Sequence, residues 1–201
     1  MTNDVKKRAI EEVAVNLFLE KGYSNTTIND ICEVMDITKS TFYKYFNAKE
    51  ELMLGLYDVA IKKICSDTLS LLKADTDIER LLVLFNELLD FTVAFGSDLF
   101  SQMFIANLNH NYNSFSNYKE MDELIILLLR KAQNKHEIHN MEDPKLINET
   151  IIYTYIGYEI AWCVNDGNMD IKKKLFDSFA AIMDIDDKYL HLVDKYTAKK
   201  D

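Results

Sequence analysis

The sequence predicts an all-α fold, and three observations carry that reading. One Pro and five Gly in 201 residues leave few helix breakers. Apolar residues recur at three- and four-residue spacing, and no long window alternates apolar with polar in the manner of a strand. Hydroxyl residues followed three positions later by a carboxylate mark helix starts at Thr27/Asp30 and Thr76/Glu79. The length allows one or two domains with a sizeable core.

Residues 4–21 read as the first helix, with Ile10, Val13, Ala14, Leu17 and Phe18 on one face. Lys6, Lys7 and Arg8 stand near its start, where the helix dipole disfavours cations. A phosphate-facing surface and a solvated terminus both account for them. Lys21-Gly22 is a stop signal. Thr27 then caps a short helix whose Ile28, Ile31 and Val34 are expected to face inward, and which ends near Met35-Asp36. Thr38 caps another short helix, anchored by Phe42 and Phe46. Asn47 with Glu50 repeats the capping pattern and opens a helix to about Lys73, roughly 37 Å at 1.5 Å per residue.

A Leu- and Phe-rich helix is expected over 76–95, a break at Gly96-Ser97-Asp98, and about ten further helical residues. The five Asn between Asn107 and Asn117 suggest an exposed loop. Helices at 118–134 and 144–165 follow, separated by a polar loop over 135–143. Asp143-Pro144 is a strong start, an N-cap and then Pro at N1. The helix it opens is apolar nearly all round, so one face is expected to meet a second copy of the chain. Helices at 170–183 and 186–197 complete the chain.

The net charge of −10 is unevenly spread. Residues 1–50 hold seven Lys/Arg against eight Asp/Glu; residues 51–201 hold sixteen against twenty-five. The acidic excess therefore lies outside the first fifty residues. No apolar run approaches the ~18 residues of a membrane span, and no charged segment followed by an apolar one opens the chain as a signal peptide would. Cys32, Cys65 and Cys163 are far apart and fit reduced thiols in the cytoplasm. His136-Glu137-Ile138-His139 lacks zinc-protease spacing, so no metal is expected there. No nucleophile elbow, phosphate loop or dinucleotide turn is present, so neither an enzyme nor a cofactor is expected.

The second short helix carries Lys39, Ser40, Thr41, Tyr43 and Lys44, too polar and too short for a core element but suited to a DNA groove. Around it, Leu17-Phe18-x-Glu20-x-Gly22-Tyr23-x-x-Thr26-Thr27 and Ile37-Thr38-Lys39-Ser40-Thr41-Phe42-Tyr43-x-Tyr45-Phe46-x-x-Lys49-Glu50-x-Leu52 resemble the TetR family of transcriptional regulators. The resemblance covers about a quarter of the chain. Asp36 stands where the family usually has Gly, and Ser40 where it often has a small residue.

The resemblance implies a three-helix helix-turn-helix domain over 1–48 and a larger helical effector-binding and dimerisation domain over 49–201. It implies a dimeric, ligand-released repressor on a palindromic operator. Lys39, Ser40 and Tyr43 would face bases; Thr27, Thr41, Tyr45 and Lys49 would touch phosphates. Thr38 is first a cap, Lys44 is either a contact or solvated, and Tyr45 serves packing or contact. The resemblance also implies a small-molecule pocket walled by helices from about 76 to 165. Phe91, Phe95, Phe104, Tyr155 and Trp162 are candidate lining residues, with Phe85, Phe100 and Tyr153 beside them, although core packing explains each as well. Glu159, amid Ile156, Tyr158, Ile160 and Trp162, would meet a cationic ligand, pair with a Lys or Tyr, or sit at a dimer rim. Dimerisation is expected through helices 144–165 and 170–183. The competing class is an acidic helical ligand-binding or adaptor protein that has the fold without specific DNA binding.

Overall fold

Helices account for nearly all the regular structure. The structure, a computed structural model, describes residues 3–53, 71, 73–110 and 119–197. The expected helix 48–73, with Leu56, Val59, Ile64, Leu69 and Leu72, lies mostly outside these residues, as does Cys65.

Three helices form the N-terminal unit: α1 (Asn3–Lys21), α2 (Ile28–Val34) and α3 (Lys39–Phe42). Ile10, Ala14, Leu17 and Phe18 of α1 are buried, as the spacing predicts. Gly22, at φ 82°, ends α1, and its N–H returns to the Phe18 carbonyl at 3.0 Å. In α2 the inward stripe differs from expectation. Val34 is 60% exposed, while Cys32 is buried. Ile28, Ile31, Cys32 and Met35 follow the three-four spacing; Val34, six residues after Ile28, falls about 120° away from it.

The start of the next helix also shifts. The Asn47 backbone N–H and side-chain amide donate to the Glu51 carboxylate at 2.9 and 2.8 Å, so Glu51 and not Glu50 is its partner. Residues 51–53 are helical, and their N–H groups bond carbonyls three residues back, a tight opening turn.

The larger unit contains α4 (Asp77–His110), α5 (Lys119–Asn134), α6 (Pro144–Val164), α7 (Ile171–Met183) and α8 (Leu190–Thr197), with a 3-10 turn at Asp187–Tyr189. Helix α4 is interrupted at Gly96, whose φ 80° and ψ 159° are not helical. The break thus narrows to one residue of the expected three. Asn107 to His110 are helical where a loop was expected, Asn107 bonding the Met103 carbonyl at 2.9 Å. The rest of that Asn-rich stretch lies outside the described residues. Phe85 and Phe179 meet at 4.7 Å between ring centroids, and Tyr196 of α8 stacks on Phe176 at 5.0 Å. These rings fill the core between α4, α7 and α8.

The 135–143 segment is more than a polar connection. Ile138 is buried and pairs with Ile185 in an isolated antiparallel bridge. Glu137 is buried too, and its carboxylate accepts the Ile78 N–H at 2.7 Å. A carboxylate from 59 residues away thereby serves the N-terminus of α4. Beside it, buried Asp77 pairs with Lys135 and with Arg80, and Arg80 donates onward to the Leu71 and Ala74 carbonyls. Burial pushes the Asp77 carboxyl upward, but the Lys135 and Arg80 hydrogen bonds outweigh it and hold the group below the ordinary carboxylate range.

A depressed folded-state value means that Asp77 contributes stability above about pH 4, the ordinary unfolded value, and loses it as pH falls through the folded one. Asp77→Asn is therefore expected to lower the melting temperature at pH 7 and to lower it much less near pH 3. Thermal unfolding of both proteins across that range checks it; a difference independent of pH would contradict the ion-pair account.

Candidate nucleic-acid interface

The N-terminal unit is built by caps. The Thr27 hydroxyl accepts the Asp30 N–H at 3.2 Å, while the Asp30 carboxylate accepts the Thr27 N–H at 2.6 Å. This reciprocal box satisfies two free N–H groups at the start of α2. Hydrogen bonds from the Thr27 side chain and backbone hold the Asp30 carboxyl below its ordinary value. At α3, Thr38 Oγ1 accepts the Thr41 N–H at 3.2 Å and lies 3.0 Å from Thr41 Oγ1. Between the helices Asp36 takes the left-handed conformation, φ 49°, which Asp tolerates better than most residues.

Helix α3 has four residues, far fewer than the ~12–15 an isolated helix needs. Phe42 and Phe46 supply what it lacks. Both are buried, with ring centroids 5.6 Å apart. Phe42 also meets the Tyr43 ring edge-on at 5.6 Å, which fixes that ring while half of Tyr43 remains exposed. Thr27, Thr38, Lys39, Ser40 and Lys44 are exposed; Thr41 and Tyr45 are half-buried. Aromatic anchors inward and hydroxyl, amine and phenol groups outward make a surface that can donate to base edges and phosphates.

Lys49 is placed differently from this set. Its ammonium donates to the Tyr23 and Thr26 carbonyls, each at 2.8 Å, and sits 3.7 Å from the Tyr23 ring centroid. Burial lowers its pKa, partly offset by nearby Glu50 and Asp98. Local spacing gives Tyr23 no role, because nothing local links residues 26 positions apart. Ser24 is the adjoining contact to the larger unit: its hydroxyl donates to Asp98, just past the α4 break, at 3.3 Å.

The candidate ligand residues fall into two groups. Phe91 and Phe95 are half-buried and pack together at 4.3 Å, and Phe104 is buried. Tyr155, Glu159 and Trp162 lie deep in the core. Trp162 donates to the Gly167 carbonyl at 3.0 Å and so closes the α6–α7 turn. Thr92, which the sequence did not single out, joins the other two. Its hydroxyl donates to Glu159 Oε1 at 2.8 Å and stands 3.0 Å from the Tyr155 hydroxyl. A hydroxyl has one proton, so Tyr155 donates to Thr92 when Thr92 donates to Glu159. Burial, and then the Glu159 charge, push the Tyr155 phenol well above its usual value. Phe85 and Phe100 are core residues. Tyr153 is corrected: it is 66% exposed and faces away from the bundle.

Replacing a capping hydroxyl costs roughly 1 kcal/mol. Thr27→Ala is thus expected to destabilise the protein by about 1 kcal/mol in denaturant unfolding, and Thr27→Ser by much less. Equal losses would show that the capping box contributes nothing.

Residues 10–56 match the family model described as bacterial regulatory proteins, tetR family. The chain is 38% identical over 63 residues to the uncharacterized HTH-type transcriptional regulator YuxN of Bacillus subtilis, covering 29% of this chain and 22% of that protein. It is 36% identical over 64 residues to IcaR of Staphylococcus aureus, the HTH-type negative transcriptional regulator of the biofilm operon icaADBC, covering 32% of each. These matches span less than a third of the relatives' lengths. Whole-chain likeness is to solved structures. FadR of Thermus thermophilus, a TetR family repressor in complex with lauroyl-CoA, superimposes with TM-score 0.63 at 20% identity, covering 97% of this chain and 96% of that one. RolR in complex with resorcinol gives TM-score 0.65 at 17% identity, covering 98% and 95%. At these identities the likeness establishes the fold.

Proposed function

By its N-terminal domain this chain belongs to the TetR family of regulators, and from that premise we propose that it is a ligand-responsive transcriptional repressor that binds a palindromic operator as a homodimer. The family consists of DNA-binding regulators, not enzymes. The observation that carries the reading is the α3 surface: a helix too short to stand alone, anchored by Phe42 and Phe46 and presenting polar groups outward. In the proposed interface Lys39, Ser40 and Tyr43 read bases, while Thr27, Thr38, Thr41, Lys44 and Tyr45 meet the backbone. Residues 1–48 form the DNA-binding domain and 49–201 the effector and dimerisation domain. The protein acts in the cytoplasm, where its operator is. Among the described residues no helix is long and apolar enough to cross a membrane.

Dimerisation is supported by one face of α6. Leu146, Tyr153, Ile160 and Val164 are 50, 66, 44 and 78% exposed. Tyr153, Ile160 and Val164 lie at three-four spacing with Gly157, where an added Cβ would meet nothing within 4 Å, and Leu146 stands about two turns before Tyr153. Such a stripe on a single helix is the kind of surface a second copy covers, with α7 beside it. Two copies so joined would set their α3 helices into successive major grooves, ~34–36 Å apart.

A small molecule in the larger domain would release the operator by binding better to a conformer in which that spacing is lost. Phe91, Phe95, Phe104, Tyr155, Glu159 and Trp162 are the proposed lining. Two proteins of like fold hold lauroyl-CoA and resorcinol, which supports a small-molecule role for this domain by fold analogy alone.

Selection of bound sequences from a random duplex pool is expected to yield a palindromic motif; no motif would favour the acidic adaptor reading. Tyr43→Ala is expected to abolish binding to that motif while leaving the dimer intact, and unchanged binding in a gel shift would remove α3 from the interface. Ile160→Glu should yield monomers by light scattering. A dimer of unaltered affinity would place the interface elsewhere.

A further inference from the structure

Lys49 stands where three parts of the chain converge. It lies just ahead of helical residues 51–53. Its ammonium reaches back 26 and 23 residues to the carbonyls of Tyr23 and Thr26. Those two residues bound the turn between α1 and α2, and the Thr26 N–H itself bonds the Tyr23 carbonyl at 3.2 Å. Thr27, the cap of α2, follows at once. The ammonium also lies 3.7 Å from the Tyr23 ring centroid, and Tyr23 is 4% exposed. Thr26 closes the same turn from the other side, its buried hydroxyl 2.9 Å from the Gly22 carbonyl and 3.2 Å from that of Leu17.

We infer that Lys49 is a positioning residue for DNA binding and not a phosphate contact: it ties the turn that carries Thr27 to the helical turn at residues 51–53. This rests on the DNA-binding reading above and assigns Lys49 a role inside it. Two charge-assisted hydrogen bonds and a cation–π contact occupy the ammonium, and each outweighs a neutral contact at the surface. A phosphate contact would require the amine to give up at least one of these three partners. If it left the turn altogether, the Thr26 carbonyl would lose the lysine donor while the Tyr23 carbonyl kept the Thr26 N–H, a cost a solvent-exposed lysine does not bear. The depressed pKa of Lys49 fits a cation drawn partly out of water. The same bonds make the Tyr23–Thr26 turn follow residues 51–53, so a shift of that helical turn moves Thr27 and α2 with it.

The two roles separate by salt dependence. A lost phosphate contact makes the slope of log K against log salt shallower by about 0.9, or about 1.8 for a dimer. A lost positioning bond lowers affinity at every salt concentration without changing the slope. Lys49→Met is expected to weaken operator binding about tenfold, the scale of a charged hydrogen bond with a cation–π contact, on a line parallel to wild type. Lys49→Gln, which retains an amide donor but no charge, is expected to recover part of that loss. Tyr23→Leu, which alters no proposed DNA contact, removes the ring but leaves both carbonyls, so it should reproduce part of the loss, and the double variant should be no worse than Lys49→Met alone. A shallower slope, no recovery with Gln, or additive losses would overturn the inference. Hydrogen exchange on the free protein keeps it testable if no operator is found. Lys49→Met should speed exchange at the Thr26 amide while sparing core amides of α7. Unchanged exchange at Thr26 would overturn it, whereas absence of a selected motif would overturn only the DNA-binding reading.

Discussion

A four-residue helix has no stability of its own, and the N-terminal domain is arranged around that constraint. Fixing the first turn of a helix costs more than its single hydrogen bond returns. Helix α3 survives because Phe42 inserts between its neighbours and leaves nothing exposed, and because Thr38 satisfies the Thr41 N–H. The proposed DNA-facing surface is therefore the outer side of a packing event. Apart from Thr38, which caps the helix through the Thr41 N–H, its exposed polar residues Lys39, Ser40 and Lys44 do not hold the helix and are free to be chosen for contact. Tyr43 is the intermediate case, steadied by the Phe42 ring and still half in solvent.

The low charge of this domain makes the arrangement consequential. With seven cations against eight anions in the first fifty residues, non-specific attraction to phosphate is weak. In the proposed dimer, affinity would then depend on specific contacts and on the separation of two copies, both of which are geometric. A binding mode of that kind is one that the proposed ligand could alter from a distance.

Local signals were legible in the sequence and long-range ones were not. The caps at Thr27, Thr38 and Asp143, the stops at Gly22 and Asp36, and the break at Gly96 each depend on residues within a few positions, and the structure has all of them. Val34 was misplaced because seven residues are too few to distinguish neighbouring helical stripes, and the burial of Cys32 decided between them. Glu51 replaced Glu50 because the tight turn over 47–50 delays the helix by a residue. Glu137 at the N-terminus of α4, Thr92 beside Glu159, and Lys49 on the Tyr23 turn join residues 59, 67 and 26 apart, which no spacing rule connects. The candidate site was thus readable as a list of outward residues. Its anchors Phe42 and Phe46 and its cap Thr38 were readable too, whereas the Lys49 tie to the Tyr23 turn was not, because its partners lie 26 and 23 residues away.

Gly96 has a further consequence. Its φ 80° and ψ 159° belong to a region that essentially only glycine occupies, yet an added Cβ would meet no atom within 4 Å. A first side-chain atom would therefore be opposed by backbone torsion and not by crowding. The direction in which the second half of α4 leaves the first, and with it the reach of Asp98 toward Ser24, is set by the torsions of one residue that has no side chain.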